Sequence, residues 1–334
     1  MNILLDGYFD KNFGDDVMQQ LVVKSFPEHT FFVNNAEREM LSHLSQFDNI
    51  RINCPCDNID MYLNVIGTGF MFKGKIAKIT GALSLLKRQK KYKKSAVVNC
   101  SFESFDSKAE EWLASKKIQA YRFITCRDKQ SEKFLKKYAK SAEIKFYEDM
   151  VFSHDILPKP QLDEGHLGIS AVRRAYSDTN YDYYKTLAEV ADSYIEETGK
   201  KVLLFAFDTG CENDTSAVLS IRDMMRYPEM AELVLYDGNP DKFTDNMCRC
   251  SVFVGSRFHS IVTAQLLGIK SVAVHDRKKL KMLCADHNIP SVSKEALTCH
   301  TLTQLIKASQ MPQNTERFKN SHEHIKALKN YIES

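Results

Sequence analysis

Val252-Phe253-Val254-Gly255-Ser256-Arg257-Phe258-His259, running on into the apolar stretch Ile261 to Leu267, reads as a buried strand, a glycine turn and a helix start. The β-branched and aromatic run suits a strand, and Gly255 ends it. Ser256 is a favoured N-cap residue ahead of a helical run. A strand feeding straight into a helix is half of a βα unit, and the rest of the chain repeats it.

Upstream, strand-like runs near Ile3-Leu5, Thr30-Val33, Leu63-Ile66, Ala96-Asn99, Ala120-Thr125 and Ile144-Tyr147 enclose helical stretches around 15–25, 107–115 and 129–139. The rhythm restarts at Leu167-Val172 and continues through Lys201-Ala206, Leu233-Tyr236, Ser251-Val254 and Ser271-Val274. Alternating strands and amphipathic helices predict an α/β fold with mostly parallel sheets. The proline- and charge-bearing stretch Asp155 to Gly165 reads as a linker. The expected organisation is two Rossmann-like, doubly wound domains facing a cleft: residues 1–157, then 165–300, with a helical segment 301–334 crossing back to the first.

A chain of 334 residues exceeds the roughly 250 to 300 residues one core usually serves, which also argues for two domains. With 43% apolar and 27% charged residues it has an ordinary globular composition. Net charge +3 is too mild to imply nucleic acid. The start lacks a signal sequence, no apolar run approaches the ~18 residues of a spanning helix, and the nine scattered cysteines are odd in number. These features predict a cytoplasmic protein with reduced thiols. Lys87 to Lys94 holds six Lys or Arg without an acid, a candidate for peripheral contact with an anionic membrane face.

Chemistry is expected where strands meet helices. The first turn of the helix after Gly255 offers unpaired backbone N–H groups and a positive dipole end, and Arg257 and His259 add donors there, a setting that suits phosphate or carboxylate. Gly7 to Asp16 forms a second such approach; Asp15 or Asp16 either caps the helix or, with Asn12, holds sugar hydroxyls. Gly67-Thr68-Gly69 is a further glycine turn after a strand, either plain turn chemistry or, with the other loops, a ligand cradle. Arg127, beyond the strand ending at Thr125, points into the cleft or pairs with Asp128; Arg173 or Arg174 is placed similarly after Val172. The sequence lacks a metal-ligand spacing, a phosphate-binding lysine loop and a complete Gly-x-Gly-x-x-Gly fingerprint, so neither a divalent ion nor a dinucleotide cofactor is expected.

Taken together, Gly7-Tyr8-Phe9 with Asn12-Phe13-Gly14-Asp15-Asp16, the Gly67-Thr68-Gly69 turn, Arg127-Asp128 with Ser131, Glu148-Asp149 and above all Ser256-Arg257-Phe258-His259 through Gly268-Ile269-Lys270-Ser271-Val272 resemble the polysaccharide pyruvyl transferase family. The resemblance spans nearly the whole chain in order. It departs from the family pattern at Thr68, within a glycine-rich turn, and at Ile269-Lys270, where a proline is usual. It implies a fold like the B-type glycosyltransferases, a phosphoenolpyruvate donor and a sugar acceptor, free or lipid-linked, that receives a pyruvate ketal.

Ketal formation needs a general acid and charge clamps. The reading assigns the acid to His259, donor binding to Arg257, Arg127, Phe258, Ser256 and Arg173, and acceptor binding to Asn12, Asp15, Asp16 and Gly69. A bound anion favours the imidazolium, so protonation of His259 is expected to be coupled to donor binding. The rival readings are a nucleotide-sugar glycosyltransferase of the same fold and a non-catalytic glycan-binding protein. The first wants an acid five residues before the glycine, where this chain has Thr263. Retention of Arg257, His259 and Arg127 argues against the second.

Overall fold

The computed structural model describes residues 1–34, 36–68, 92–102, 105, 107–153, 163–173, 180–312 and 320–334. The readings at Gly69, Arg174, Lys87 to Lys91 and most of the linker lie outside these residues.

Two compact units divide the chain. One comprises Met1–Phe9, Gly14–His154 and Arg317–Ser334; the other comprises Asp10–Phe13 and Asp155–Glu316. A short piece of the first strand-to-helix connection therefore belongs to the second unit.

The first unit contains β1 (Asn2–Gly7), α1 (opening at Phe13 and ending at Ser25), β2 (Thr30–Val33), β3 (Ile50–Ile52), β4 (Met61–Val65), β5 (Lys94–Cys100), α2 (Lys108–Ile118), β6 (Phe123–Cys126), α3 (Lys129–Tyr138) and β7 (Glu143–Phe146). The second contains β8 (His166–Ser170), α4 (Asn180–Thr198), β9 (Val202–Ala206), α5 (Asp214–Met224), β10 (Ala231–Leu235), α6 (Pro240–Met247), β11 (Cys250–Gly255), α7 (Phe258–Leu266), β12 (Lys270–His275), α8 (Lys278–His287), β13 (Ser291–Ser293) and α9 (Cys299–Ala308). A last helix, α10 (Glu323–Glu333), returns to the first.

Both sheets are parallel, ordered β3-β2-β1-β4-β5-β6-β7 and β10-β9-β8-β11-β12-β13. This is the doubly wound arrangement, and its strand order reverses between β1 and β4 and between β8 and β11. Parallel sheets covered on both faces demand strands without a polar side, and every residue of β4, β6, β8 and β9 is buried.

Local chemistry sets the helix starts. Ser107 caps α2 by accepting the Glu110 N–H at 3.2 Å, and Asp128 caps α3 by accepting the Ser131 N–H at 2.7 Å. Along β6 the side chains alternate. Ile124 and Cys126 join the core formed with Ile118, Leu135 and Ala139 of the α2–α3 layer. Phe123 stacks on Tyr331 of α10 at 4.8 Å, and Thr125 meets His324 of the same helix. So α2 and α3 cover one face of this sheet and α10 the other. Each large aliphatic or aromatic side chain so buried contributes about 1.5–3 kcal/mol.

Candidate functional site

In a doubly wound sheet, ligands sit beyond the carboxyl ends of the strands where the order reverses. In the second unit that place is set by Ser170 of β8 and Gly255 of β11, which are register partners, and the Ser256 N–H donates to the Ser170 carbonyl at 3.1 Å. Gly255 is required there by close approach: a Cβ would lie 2.7 Å from Cδ1 of Ile261 in α7. The chain turns directly from strand to helix and delivers Arg257, Phe258 and His259 to the switch point.

The helix starts one residue later than the sequence suggests. Arg257, not Ser256, is the N-cap residue (φ −92°, ψ 143°), and the Ser256 hydroxyl is instead paired at 2.6 Å with that of buried Tyr183. Ser256 is thus a packing residue at the strand end. The partly buried His259 lies in the first turn of α7, its ring edge-on to Phe258 at 5.3 Å, and Lys279 of α8 stands 4.3 Å over the Phe258 ring.

Arg257 departs most from its expected part. Its Nε and Nη2 donate to the two carboxylate oxygens of Asp214 at 2.8 and 2.6 Å, and Nη1 donates to Glu212. Burial disfavours the charge, yet the two carboxylates hold the guanidinium pKa above its ordinary value. All three nitrogens are engaged within the protein, so Arg257 ties α7 to the loop between β9 and α5 rather than presenting an open anion clamp. Arg173 differs: it is exposed just beyond β8, and its backbone N–H donates to Asp214 at 3.4 Å.

That loop, Asp208 to Asp214, escaped the sequence reading. Asp208 is fully buried and accepts the N–H groups of Gly210 at 3.1 Å and Glu212 at 3.2 Å and the Asn12 side-chain amide at 3.0 Å. Burial pushes its carboxyl up to about 6, against the Asn12 hydrogen bond and Arg257. Asn12 is therefore spent on Asp208 rather than left open for a sugar. The one available signal was the density of acids after a strand, which composition alone cannot tell from an ordinary solvated loop.

In the first unit the switch point joins Gly7 of β1 to Val65 of β4. Asp15 accepts the Gly67 N–H at 3.2 Å. Asp16 turns the other way: it is fully buried, with its carboxylate 3.3 Å from Nδ1 of His43, whose pKa burial lowers to about 3. Asp16 is a core carboxylate, which removes it from the acceptor side. Arg127 is also interior. Its guanidinium pairs with Asp149, both side chains being 2% exposed, while Asp128 is occupied as the cap of α3. Gly67 makes room for that guanidinium, since a Cβ there would stand 2.8 Å from Nη2. The cleft-lining role expected of Arg127 is replaced by a buried ion pair.

The family model for polysaccharide pyruvyl transferase matches residues 12–275. No curated protein sequence matches the chain. Among solved structures, the UDP-GlcNAc 2-epimerase of Methanocaldococcus jannaschii aligns at TM-score 0.64 and 9% identity, covering 100% of both chains. The epimerase of Neisseria meningitidis bound to UDP-GlcNAc aligns at 0.60 and 11%, covering 99% of each. Anabaena Alr3699/HepE in complex with UDP-glucose aligns at 0.60 and 12%, covering 98% of this chain and 93% of that one. At these identities the likeness is one of fold, the arrangement of the B-type glycosyltransferases.

Proposed function

The chain belongs to the polysaccharide pyruvyl transferase family, and from that premise we propose that it moves the enolpyruvyl group of phosphoenolpyruvate onto two hydroxyls of a sugar, forming a pyruvate ketal. The observation that carries the site assignment is the first turn of α7 at the β8–β11 switch point, where His259 and the nearby exposed Arg173 accompany the positive end of the helix.

In this reading the donor phosphate or carboxylate rests on the α7 N-terminus with Arg173. His259 gives a proton to the methylene carbon as the first sugar hydroxyl bonds to the neighbouring carbon. The hydroxyl proton is lost to the medium or back to the imidazole. The second hydroxyl then bonds to the same carbon and displaces phosphate, which leaves carrying that hydroxyl's proton, and the ketal closes. Arg257 acts by holding α7 against the Asp208–Asp214 loop, and Asp15 with the Gly67 turn is the acceptor-side candidate. The nucleotide-sugar alternative draws nothing from Thr263, which is fully buried.

The test is incubation with phosphoenolpyruvate and a panel of free and lipid-linked glycosides, following phosphate release and acceptor mass. Acceptor-dependent phosphate with a ketal mass gain, lost in His259→Ala, supports the reading. Turnover of a nucleotide sugar in place of phosphoenolpyruvate refutes it.

A further inference from the structure

The chain has one tryptophan, Trp112, and it is 58% exposed on the outer face of α2. A large aromatic side chain in water is a poor use of apolar surface unless something covers it. Lys108 and Lys116 flank it at four-residue spacing, so the three share one face of the helix, and the Lys116 ammonium lies 5.7 Å from the indole ring centre.

The neighbouring helix continues the pattern. Lys129, Lys133 and, just beyond the helix end, Lys140 are exposed on α3, spaced so as to share a stripe. Across the two helices and Lys140 there are eight lysines, one of them the buried Lys117, against three acids, Glu110, Glu111 and Glu132. Glu111 is taken by Lys137 at 3.2 Å and the Tyr138 hydroxyl at 2.6 Å, bonds that also join α2 to α3, and Glu132 is taken by Lys136 at 2.7 Å. The result is a two-helix face with surplus positive charge and an indole standing out of it.

We propose that this face docks on an anionic lipid surface, with Trp112 seated at the headgroup level and the lysines supplying the attraction. Charge complementarity selects the occupant, and the indole favours a bilayer interface over a purely polar acidic partner, because its apolar body and N–H donor match the two sides of that boundary. The contact is peripheral: among the described residues no helix is long and apolar enough to cross a membrane.

Because Trp112 is the sole tryptophan of this chain, the protein carries its own probe. Vesicles of phosphatidylcholine mixed equally with phosphatidylglycerol should shift its emission to the blue, and brominated acyl chains should quench it. Vesicles of phosphatidylcholine alone should leave it unchanged, and added salt should weaken the effect. Each lysine is worth about a fivefold change in partitioning, so Lys129, Lys133 and Lys140 all changed to Gln should weaken vesicle co-sedimentation about a hundredfold. Trp112→Ser should weaken it further, with circular dichroism unchanged. An emission spectrum indifferent to anionic vesicles overturns the proposal, as does undiminished sedimentation of the lysine variant. A shift produced by polyglutamate and not by vesicles also overturns it and assigns the face to an acidic protein.

Discussion

Glu212 and Asp214 share one arginine but are not equivalent partners. Asp214 is fully buried and takes two nitrogens of Arg257, whereas the Glu212 side chain is 33% exposed and takes one. Glu212→Gln should therefore cost about 1 kcal/mol or less in denaturant unfolding, as befits the more exposed partner of the pair. Removing Arg257 is a different matter. Arg257→Met leaves Asp214 charged, buried and without its cation, and should cost about 3–5 kcal/mol in denaturant unfolding. At His259 the loss should fall on turnover: replacing a positioned general acid by alanine lowers kcat by roughly 10²–10⁴ with little effect on stability. The pairing of Arg257 with acids more than 40 residues away in sequence was not legible, because residue spacing carries no information about which loops meet (257 against 212 and 214). The inward turn of Asp16 was legible in principle. Phe13, Asp16 and Val17 fall on one helical stripe, and that stripe is buried.

At the level of elements, the last helix fixes the strand ends of the first sheet through one imidazole. The Glu148 carbonyl can only accept, so Nε2 of His324 carries the proton and donates to it at 2.7 Å; Nδ1 is then the acceptor for the Thr125 hydroxyl, also at 2.7 Å. Thr125 in turn accepts the Asn99 N–H at 3.0 Å. Burial lowers the His324 pKa to about 4. A folded pKa below the unfolded one means that the unfolded chain binds the proton first, so this helix loses its hold as pH falls from about 6.5 toward 4. Protection factors across Glu323–Glu333, taken relative to the intrinsic amide exchange rate at each pH, should fall over that interval, and His324→Gln should blunt the change. Strand and helix positions followed from periodicity because the β-branched and apolar runs of β8, β9 and β11 have no competing reading. The start of α7 was missed by a residue, since Ser256 and Arg257 both satisfy the local rules and only the Tyr183 contact decides between them.

For the whole molecule, the two units should answer acid in opposite senses. His43 and His324, both held neutral by burial, make the first unit lose stability below about pH 6.5. Asp208 has its folded pKa raised, so its contribution to the second unit is present at low pH and is lost as pH rises through about 6. Hydrogen exchange resolved by segment between pH 4 and 6 should show the crossing, on the order of 2 kcal/mol on each side, and Asp208→Asn should flatten the second unit's share. The α/β class and the two-sheet plan were readable because they rest on period alone. The allocation of Asp10–Phe13 to the second unit was not, because those residues look like any strand-to-helix connection. Yet Phe13 is fully buried, its N–H donates to the Phe207 carbonyl at 2.9 Å, and its ring packs at 5.2–5.6 Å from those of Phe207, Tyr236 and Phe243. Inheritance follows from that loan of residues. A gene fragment beginning after the linker would encode a second unit lacking its own Asn12 and Phe13, so the halves of this chain cannot be exchanged between relatives as self-sufficient modules, and a recombinant that crosses over at the linker succeeds only if the incoming N-terminal half brings a compatible four-residue graft with it.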